Sequence, residues 1–300
     1  MNPSLITKNV NLASYTSWQI GGPAEFFAKP KNLDELKEVI AWSKIQALPV
    51  SVLGGGSNVL IHDRGLKGLC IVLDQLRKIE VNNDPSEVGE RLVIQAEAGV
   101  GKNELLKVFL KYKLAPAVFL AGIPGTVGGG VVMNAGVAEN FTPREFCEIT
   151  DWIEVLTPQM EIKRIPASDL HWSYRHCNGW QPGWILRVGM SWSLQADPEV
   201  LEKVRNANKI RLTKQPLEWP SCGSVFVNPE GHKAAQLIDS SGLKGFTRGG
   251  AQVSEKHANF IINTGSATAE DMAFVIEHVR STVQKLKSVT LKTEVVFMGF

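Results

Sequence analysis

Apolar positions in the first third of the chain recur at two periods, one helical and one extended. Leu33, Leu36 and Ile40 lie at helical spacing behind Asn32, and Glu35 is placed for a capping box, so the spacing predicts a helix from Leu33 to about Lys44. The strand Pro49–Leu53 follows, giving a βαβ start. Val59-Leu60-Ile61 and Leu92-Val93-Ile94 are β-prone triplets, Asn82–Gly89 reads as a surface turn, and Asn103–Tyr112 as a helix. Ile149 to Leu194 reads as strand and turn, rich in tryptophan, and a helix from Pro198 to about Leu212 ends it. We expect a domain boundary near residue 200, giving units 1–200 and 201–300. In the second unit the pattern predicts a strand at Cys222–Val227 and a helix near His232–Ser240. It also predicts a longer helix from Thr268 to about Leu286 and a final strand Thr290–Met298. Thr268 with Asp271 caps the long helix, and Met272, Val275, Ile276, Val279 and Val283 form its buried stripe.

Two glycine-rich loops interrupt this pattern where a strand should continue: Gly54-Gly55-Gly56-Ser57-Asn58, and Gly122-Ile123-Pro124-Gly125-Thr126-Val127-Gly128. Without side chains, their backbone N–H groups can converge on a phosphate, and the hydroxyls of Ser57 and Thr126 add donors. Val59-Leu60-Ile61 after the first loop is β-prone, so neither a dinucleotide-binding GxGxxG turn nor a P-loop, both of which open a helix, fits there. A diphosphate held between strands favours a flavin dinucleotide over a nicotinamide one. The stretch Leu114 to Ala138 carries no charged residue and is long enough to cross a bilayer. Pro116, Pro124 and six glycines break it, which makes it a buried cofactor cradle.

At 300 residues the chain can bury a large core. A net charge of +2 argues against a nucleic-acid grip driven by bulk charge. Cys70, Cys147, Cys177 and Cys222 stand far apart with no CxxC pair, so the expectation is reduced thiols and no metal. Met1-Asn2-Pro3-Ser4 lacks the apolar run of a signal peptide, and we expect a cytoplasmic protein without membrane insertion and without an obligate protein partner.

Three residues could carry chemistry, each with a plainer alternative. By alternation Glu294 shares a face with Lys292 and Val296; it is either a rim carboxylate paired with Lys292 or an acid whose pKa is raised by apolar neighbours. Ser224, next to Gly223, is either an ordinary strand serine or a hydroxyl that a substrate can approach closely; no GxSxG elbow surrounds it. Arg175, among Trp172, Tyr174 and His176, is either a surface arginine stacked on tryptophan or a clamp for a carboxylate. Lys214, Lys244, Arg248 and Lys256 are scattered bases, and His62, His232 and His257 read as polar surface or core positions.

Taken in order, Thr16–Ala24, Leu53–Asn58, Ala121–Gly129, Asn134-Ala135-Gly136, Tyr174-Arg175, Gly223–Phe226, Ser254–Phe260 and Glu294-Val295 span nearly the whole chain. This succession strongly resembles the UDP-N-acetylenolpyruvoylglucosamine reductase family, in its compact subtype. The resemblance implies an α+β protein with an FAD-binding domain of the vanillyl-alcohol-oxidase (PCMH) type and a smaller substrate-binding domain. It implies non-covalent FAD held by Gly54, Gly55, Gly56, Ser57, Asn58, Gly122, Pro124, Gly125, Thr126 and Gly128. It further implies NADPH as electron donor and a UDP-sugar bearing an enolpyruvyl ether as substrate, contacted by Lys214 and Asn228. Arg175 and Glu294 match the pair that stabilises the developing enolate-like charge, and Ser224 matches the proton donor to the adjacent carbon. The chain departs from the family's pattern at Val227 and Val296, where basic residues are common, and at Cys177 and Gln19. A flavin oxidase of the same fold, or a catalytically silent nucleotide-binding protein, are the competing readings; neither requires the trio Arg175, Ser224 and Glu294.

Overall fold

The computed structural model describes residues 5–137 and 141–300; Met1–Ser4 and Ala138 of the uncharged stretch lie outside the described residues. Two strands, β1 (Ile6–Asn11) and β2 (Pro23–Ala28), precede helix α1 (Leu33–Ile45), and β3 (Val50–Leu53), β4 (Val59–Ile61) and β5 (Leu66–Val72) follow it. The Asn32 side chain accepts from the Glu35 N–H at 2.9 Å, while the Glu35 carboxylate reaches back to the Lys31 N–H. β2 and β3 are the strands expected to flank α1, but they are not neighbours: both pair parallel with β5, in the order β1-β2-β5-β3.

A second sheet, order β6-β7-β12-β8-β9, is antiparallel throughout. It is built from β6 (Ile79–Asn82), β7 (Arg91–Glu97), β8 (Thr150–Leu156), β9 (Ile162–Pro166) and β12 (Trp184–Ser193). Between β6 and β7 the expected turn contains one helical turn, α2 (Pro85–Val88), capped by Asp84. Three helices lie between β7 and β8: α3 (Lys102–Lys111), α4 (Pro116–Ala121) and α5 (Val127–Val132). The hairpin β10 (His171–Ser173) and β11 (His176–Asn178) presents Tyr174 and Arg175 at its turn.

Helix α6 (Val200–Lys214) leads into the last part of the chain, which holds α7 (Ala234–Asp239), β13 (Thr247–Arg248), β14 (Ala251–Val253), β15 (Ile261–Asn263), α8 (Ala269–Lys287) and β16 (Val296–Met298). Thr268 and Asp271 form a reciprocal capping box on α8, and its five expected stripe residues are buried. Asp63 adds a second cap, accepting from the Ala269 and Glu270 N–H groups.

Three of the sequence expectations are corrected. The second glycine loop does not continue a strand: Thr126 caps α5, accepting from the Gly129 N–H, and burial of Val127, Gly128, Gly130 and Val131 offsets the poor helix propensity of glycine. Cys222–Val227 is not a strand. Its backbone groups go to Asn259 and Lys292, and only Phe226 makes a β-bridge, to Thr293. The final strand is shorter than expected, Val296–Met298, and runs parallel to β4.

The largest core gathers both sheets, α1 and α3 to α5, and takes in Val200, Val204 and Ala207 of α6. A second core packs the α8 stripe against Val225, Phe226 and Leu291, and includes Trp18, Ile20 and Leu60 from the start of the chain. Trp18 donates its indole N–H to the Ile261 carbonyl at 2.7 Å, and Asn263 donates to the Trp18 carbonyl at 2.9 Å. These bonds tie the start of the chain to β15, and Asn58 of the first glycine loop donates to the Glu294 carbonyl. Phe146 is fully buried, edge-on to Phe119 at 6.0 Å, beneath α5. Phe146→Ala is expected to cost about 3–5 kcal/mol in chemical denaturation of the purified protein; a loss below about 1 kcal/mol would show that the site collapses around the missing ring.

Candidate active site

The two glycine loops meet backbone to backbone. A Cβ added at Gly55 would lie 2.9 Å from the Gly125 Cα, and one added at Gly125, where φ is +98°, would lie 3.0 Å from the Ser57 Oγ. Only glycine permits this approach, and the two loops line one shared space. That space is a cavity of about 1090 Å³, ample for a dinucleotide with a second ligand. All ten loop residues expected to hold the cofactor line it, as do Arg175, Ser224, Glu294, Lys214 and Asn228. A cradle of glycine backbone, hydroxyls and apolar walls fits a flavin dinucleotide. The uncharged stretch after Leu114 is thus α4, the second loop and α5, with α4 wholly buried. Among the described residues no helix is long and apolar enough to cross a membrane.

Arg175 stands at the tip of the β10–β11 hairpin with φ +58°, a left-handed conformation that costs on the order of 1 kcal/mol or more for a residue with a side chain. This geometry aims the guanidinium into the cavity. Its Nη2 donates to the Gly136 carbonyl at 2.7 Å, and its Nε lies 3.3 Å from the Glu294 Oε1. Its Nη1 is the one buried side-chain polar atom, among the described residues, without a hydrogen-bond partner. Such an orphan donor is a group that the protein itself leaves without a hydrogen-bond partner. The ring of Tyr174 stacks under the guanidinium at 4.7 Å, and burial pushes the Tyr174 hydroxyl pKa up. Arg175 is thus stacked on a ring, that of Tyr174, and mostly enclosed beside Glu294.

Glu294 pairs with Arg175, while Lys292 is exposed. Burial raises the Glu294 carboxyl above its ordinary range, and the Arg175 charge opposes part of that rise. Asn58 fixes the Glu294 backbone: its side chain donates to the Glu294 carbonyl at 2.9 Å, and the Val296 N–H donates to the Asn58 carbonyl. Ser224 follows Gly223 on the irregular segment, and the next residue is held from both sides. The Val225 N–H donates to the Asn259 carbonyl, and the Val225 carbonyl accepts from the Glu294 N–H. Asn259 then clamps Phe226 through its side chain at both N–H and carbonyl, at 3.0 and 2.8 Å. Ser224 and Glu294 therefore belong to one rigid unit of backbone.

Asn228 lines the cavity with its Oδ1 engaged by the Ala234 N–H at the start of α7, and its side chain also bonds Tyr174. Lys214 closes α6 and faces His257, whose pKa is lowered by burial and by Lys244 and Lys214. At the end of α4, Lys102 and Arg211 donate to the Leu120 and Ala121 carbonyls just before the second loop. Burial and the Arg211 charge bring the Lys102 pKa down to about 8. Sequence reasoning passed over Asn259 and His257 as residues of this site. Both lie in Ser254–Phe260, but nothing in that segment reveals that Asn259 spends its amide on Phe226.

Residues 24–165 match the model of an FAD binding domain, and residues 215–298 match that of the C-terminal domain of UDP-N-acetylenolpyruvoylglucosamine reductase. The chain is 39% identical to the reductase of that name from Pediococcus pentosaceus, over 96% of this chain and 92% of the relative. It is also 39% identical to that of Synechococcus sp., over 99% and 94%. The crystal structure of the Thermus caldophilus enzyme superposes with a TM-score of 0.77 at 28% identity, covering 97% of this chain and 98% of that one. The fold is accordingly an FAD-binding domain of the PCMH type with a smaller α+β domain. With separate domain models on its two halves and relatives matched end to end, the chain belongs to the UDP-N-acetylenolpyruvoylglucosamine reductase family, flavin-dependent oxidoreductases that form UDP-N-acetylmuramate for peptidoglycan precursor synthesis.

Proposed function

We propose that Arg175, Glu294 and Ser224 carry the reduction of the enolpyruvyl ether, with NADPH as the electron donor and the ten glycine-loop residues holding FAD without a covalent bond. Residues 1–200 would form the FAD-binding unit and 201–300 the substrate-binding unit, with α6 packed on the core of the former. Bound in the cradle, FAD supplies the hydride relay between nicotinamide and substrate. The protein's own part begins with charge. Hydride addition at the methylene carbon places negative charge on the adjacent carbon and the carboxylate. Arg175 meets that charge with its guanidinium, and Glu294, when it carries its proton, meets it with a hydrogen bond. Both interactions strengthen only as the charge develops, which is the condition for acceleration. Ser224 gives its proton to the adjacent carbon, completing the lactyl ether, and its alkoxide takes a proton back from solvent. Lys214 would bind an anionic part of the UDP-sugar, and Asn228 would position the substrate beside Tyr174.

The observation that carries this reading is the orphan Nη1 of Arg175, beside Glu294 in the cavity of the glycine cradle. The sign of the pH dependence follows from Glu294. A carboxyl raised above its ordinary range keeps its proton to higher pH, so reoxidation of the reduced enzyme by substrate is fastest at low pH and declines as pH rises through the Glu294 pKa. Glu294→Gln is expected to slow that half-reaction by about 100-fold and to abolish this basic limb. Stopped-flow absorbance of flavin reoxidation across pH tests it; an unchanged rate and an unchanged limb would remove Glu294 from the mechanism.

A further inference from the structure

Arg175 faces a second carboxylate that no part of the mechanism above uses. Glu145 Oε1 lies 3.8 Å from Arg175 Nη1, and both side chains are nearly buried, at 17% and 12% exposure. Glu145 is not a loose surface acid. Residues Gly136 and Glu145 form a β-bridge, so Glu145 sits across from the residue whose carbonyl receives Arg175 Nη2. Its other oxygen accepts from the Asn134 Nδ2 at 3.0 Å. Asn134 is 1% exposed and left-handed, with φ +38°. The same amide donates to the Ser173 carbonyl at 3.1 Å, two residues before Arg175, and its Oδ1 accepts from the Cys147 N–H at 3.0 Å. One buried asparagine thus fixes both the carboxylate and the hairpin that bears the guanidinium. Its left-handed φ is the usual one for an asparagine that ends a helix, here α5: the Asn134 N–H donates to the Val131 carbonyl and the Ala135 N–H to the Gly130 carbonyl.

We propose that Glu145 is a positioning residue for Arg175: held by Asn134, it stands against the Nη1 edge, so that the guanidinium faces two carboxylates and does not close on Glu294 alone. The inference rests on the roles proposed above for Arg175 and Glu294. At Glu294 the negative charge of Glu145 opposes the positive charge of Arg175. Glu145 thereby keeps Arg175 from drawing Glu294 fully into its ionised form. The charged and titratable groups around this centre are few. Arg175 is faced by Glu294 from the segment before β16, Glu145 from the loop before β8, and Tyr174 from its own hairpin. Glu294 also faces Cys222, and Glu145 faces Cys147.

The test is the pH profile of flavin reoxidation in holoenzyme carrying Glu145→Gln, Glu145→Asp or Glu294→Gln. Glutamine keeps the shape of Glu145 and still accepts from Asn134 but removes the charge. We expect reoxidation at least tenfold slower in E145Q, with its basic limb displaced to lower pH, because Arg175 then bears on Glu294 alone. E145D retains the charge, so its limb stays near that of the parent enzyme while its rate falls by less. A purely structural role would lower the rate in both variants and leave the limb in place, and that result overturns the inference. So does an E145Q enzyme identical to the parent while E294Q is impaired. If E294Q itself behaves as the parent, the assignment of Glu294 fails first, and the two failures are told apart.

Discussion

Replacing Ser224 with alanine is expected to give a yellow enzyme that NADPH reduces normally and that makes almost no product. Ser224 is carried on a segment pinned by Asn259 on one side and by the Glu294 backbone on the other. Removing one hydroxyl from this framework disturbs nothing that holds the cradle. The proposed flavin cradle is built from Gly54–Asn58 and Gly122–Gly128, on other elements. Loss of a positioned proton donor costs about 10³-fold in the step it serves, so reoxidation by the enolpyruvyl substrate should slow by about that factor. The reductive half-reaction transfers no proton to a substrate carbon and should keep its rate. Stopped-flow comparison of the two half-reactions makes the check. Equal slowing of both would mean that the substitution has deformed the site, and no slowing of either would remove Ser224 from the chemistry.

The second large effect concerns the cradle itself. Gly55→Val is expected to yield protein that folds and does not retain flavin. The two loops touch at Gly55 and Gly125, where an added Cβ would come within 2.9 Å of a backbone carbon. No flexible side chain can yield there, so the loops must separate. Forced overpacking costs about 1–3 kcal/mol, and when that strain falls on the ligand-bound geometry it weakens affinity by up to about 100-fold. The flavin released on denaturation, per mole of purified protein, measures this directly, with circular dichroism to show that the fold persists. Full flavin occupancy in Gly55→Val would show that the contact between the loops is not what shapes the site.

Legibility differed by element, for physical reasons. The α8 stripe and its Thr268–Asp271 cap were readable because both are local: helical spacing and a three-residue capping interval need no distant partner. The glycine loops were readable as a cradle because glycine at such density has few other uses. Helix α5 was not, since Gly128, Gly129 and Gly130 argue against a helix and only tertiary burial of Val127 and Val131 makes one. Val225-Phe226-Val227 carries strand propensity, yet its donors are taken by an asparagine side chain and by Lys292, a choice no window of sequence contains. The candidate chemistry shows the same division. Ser224, Arg175 and Glu294 could each be picked out, but alternation paired Glu294 with Lys292, whereas the fold pairs it with Arg175 from a distant hairpin. Glu145 gave no signal, because its meaning depends on the Gly136 bridge and on Asn134. Val227 and Val296, where relatives often carry bases, lie beside the site's own framework: the Val227 N–H bonds the Lys292 carbonyl and the Val296 N–H bonds that of Asn58. Their backbone roles are kept whatever the side chain.

The most direct test of the central claim is an anaerobic titration of the parent enzyme followed by flavin absorbance. NADPH should bleach the bound flavin, and one equivalent of UDP-N-acetylenolpyruvoylglucosamine should restore it with one equivalent of UDP-N-acetylmuramate formed. Flavin that stays reduced in the presence of that substrate would contradict the account.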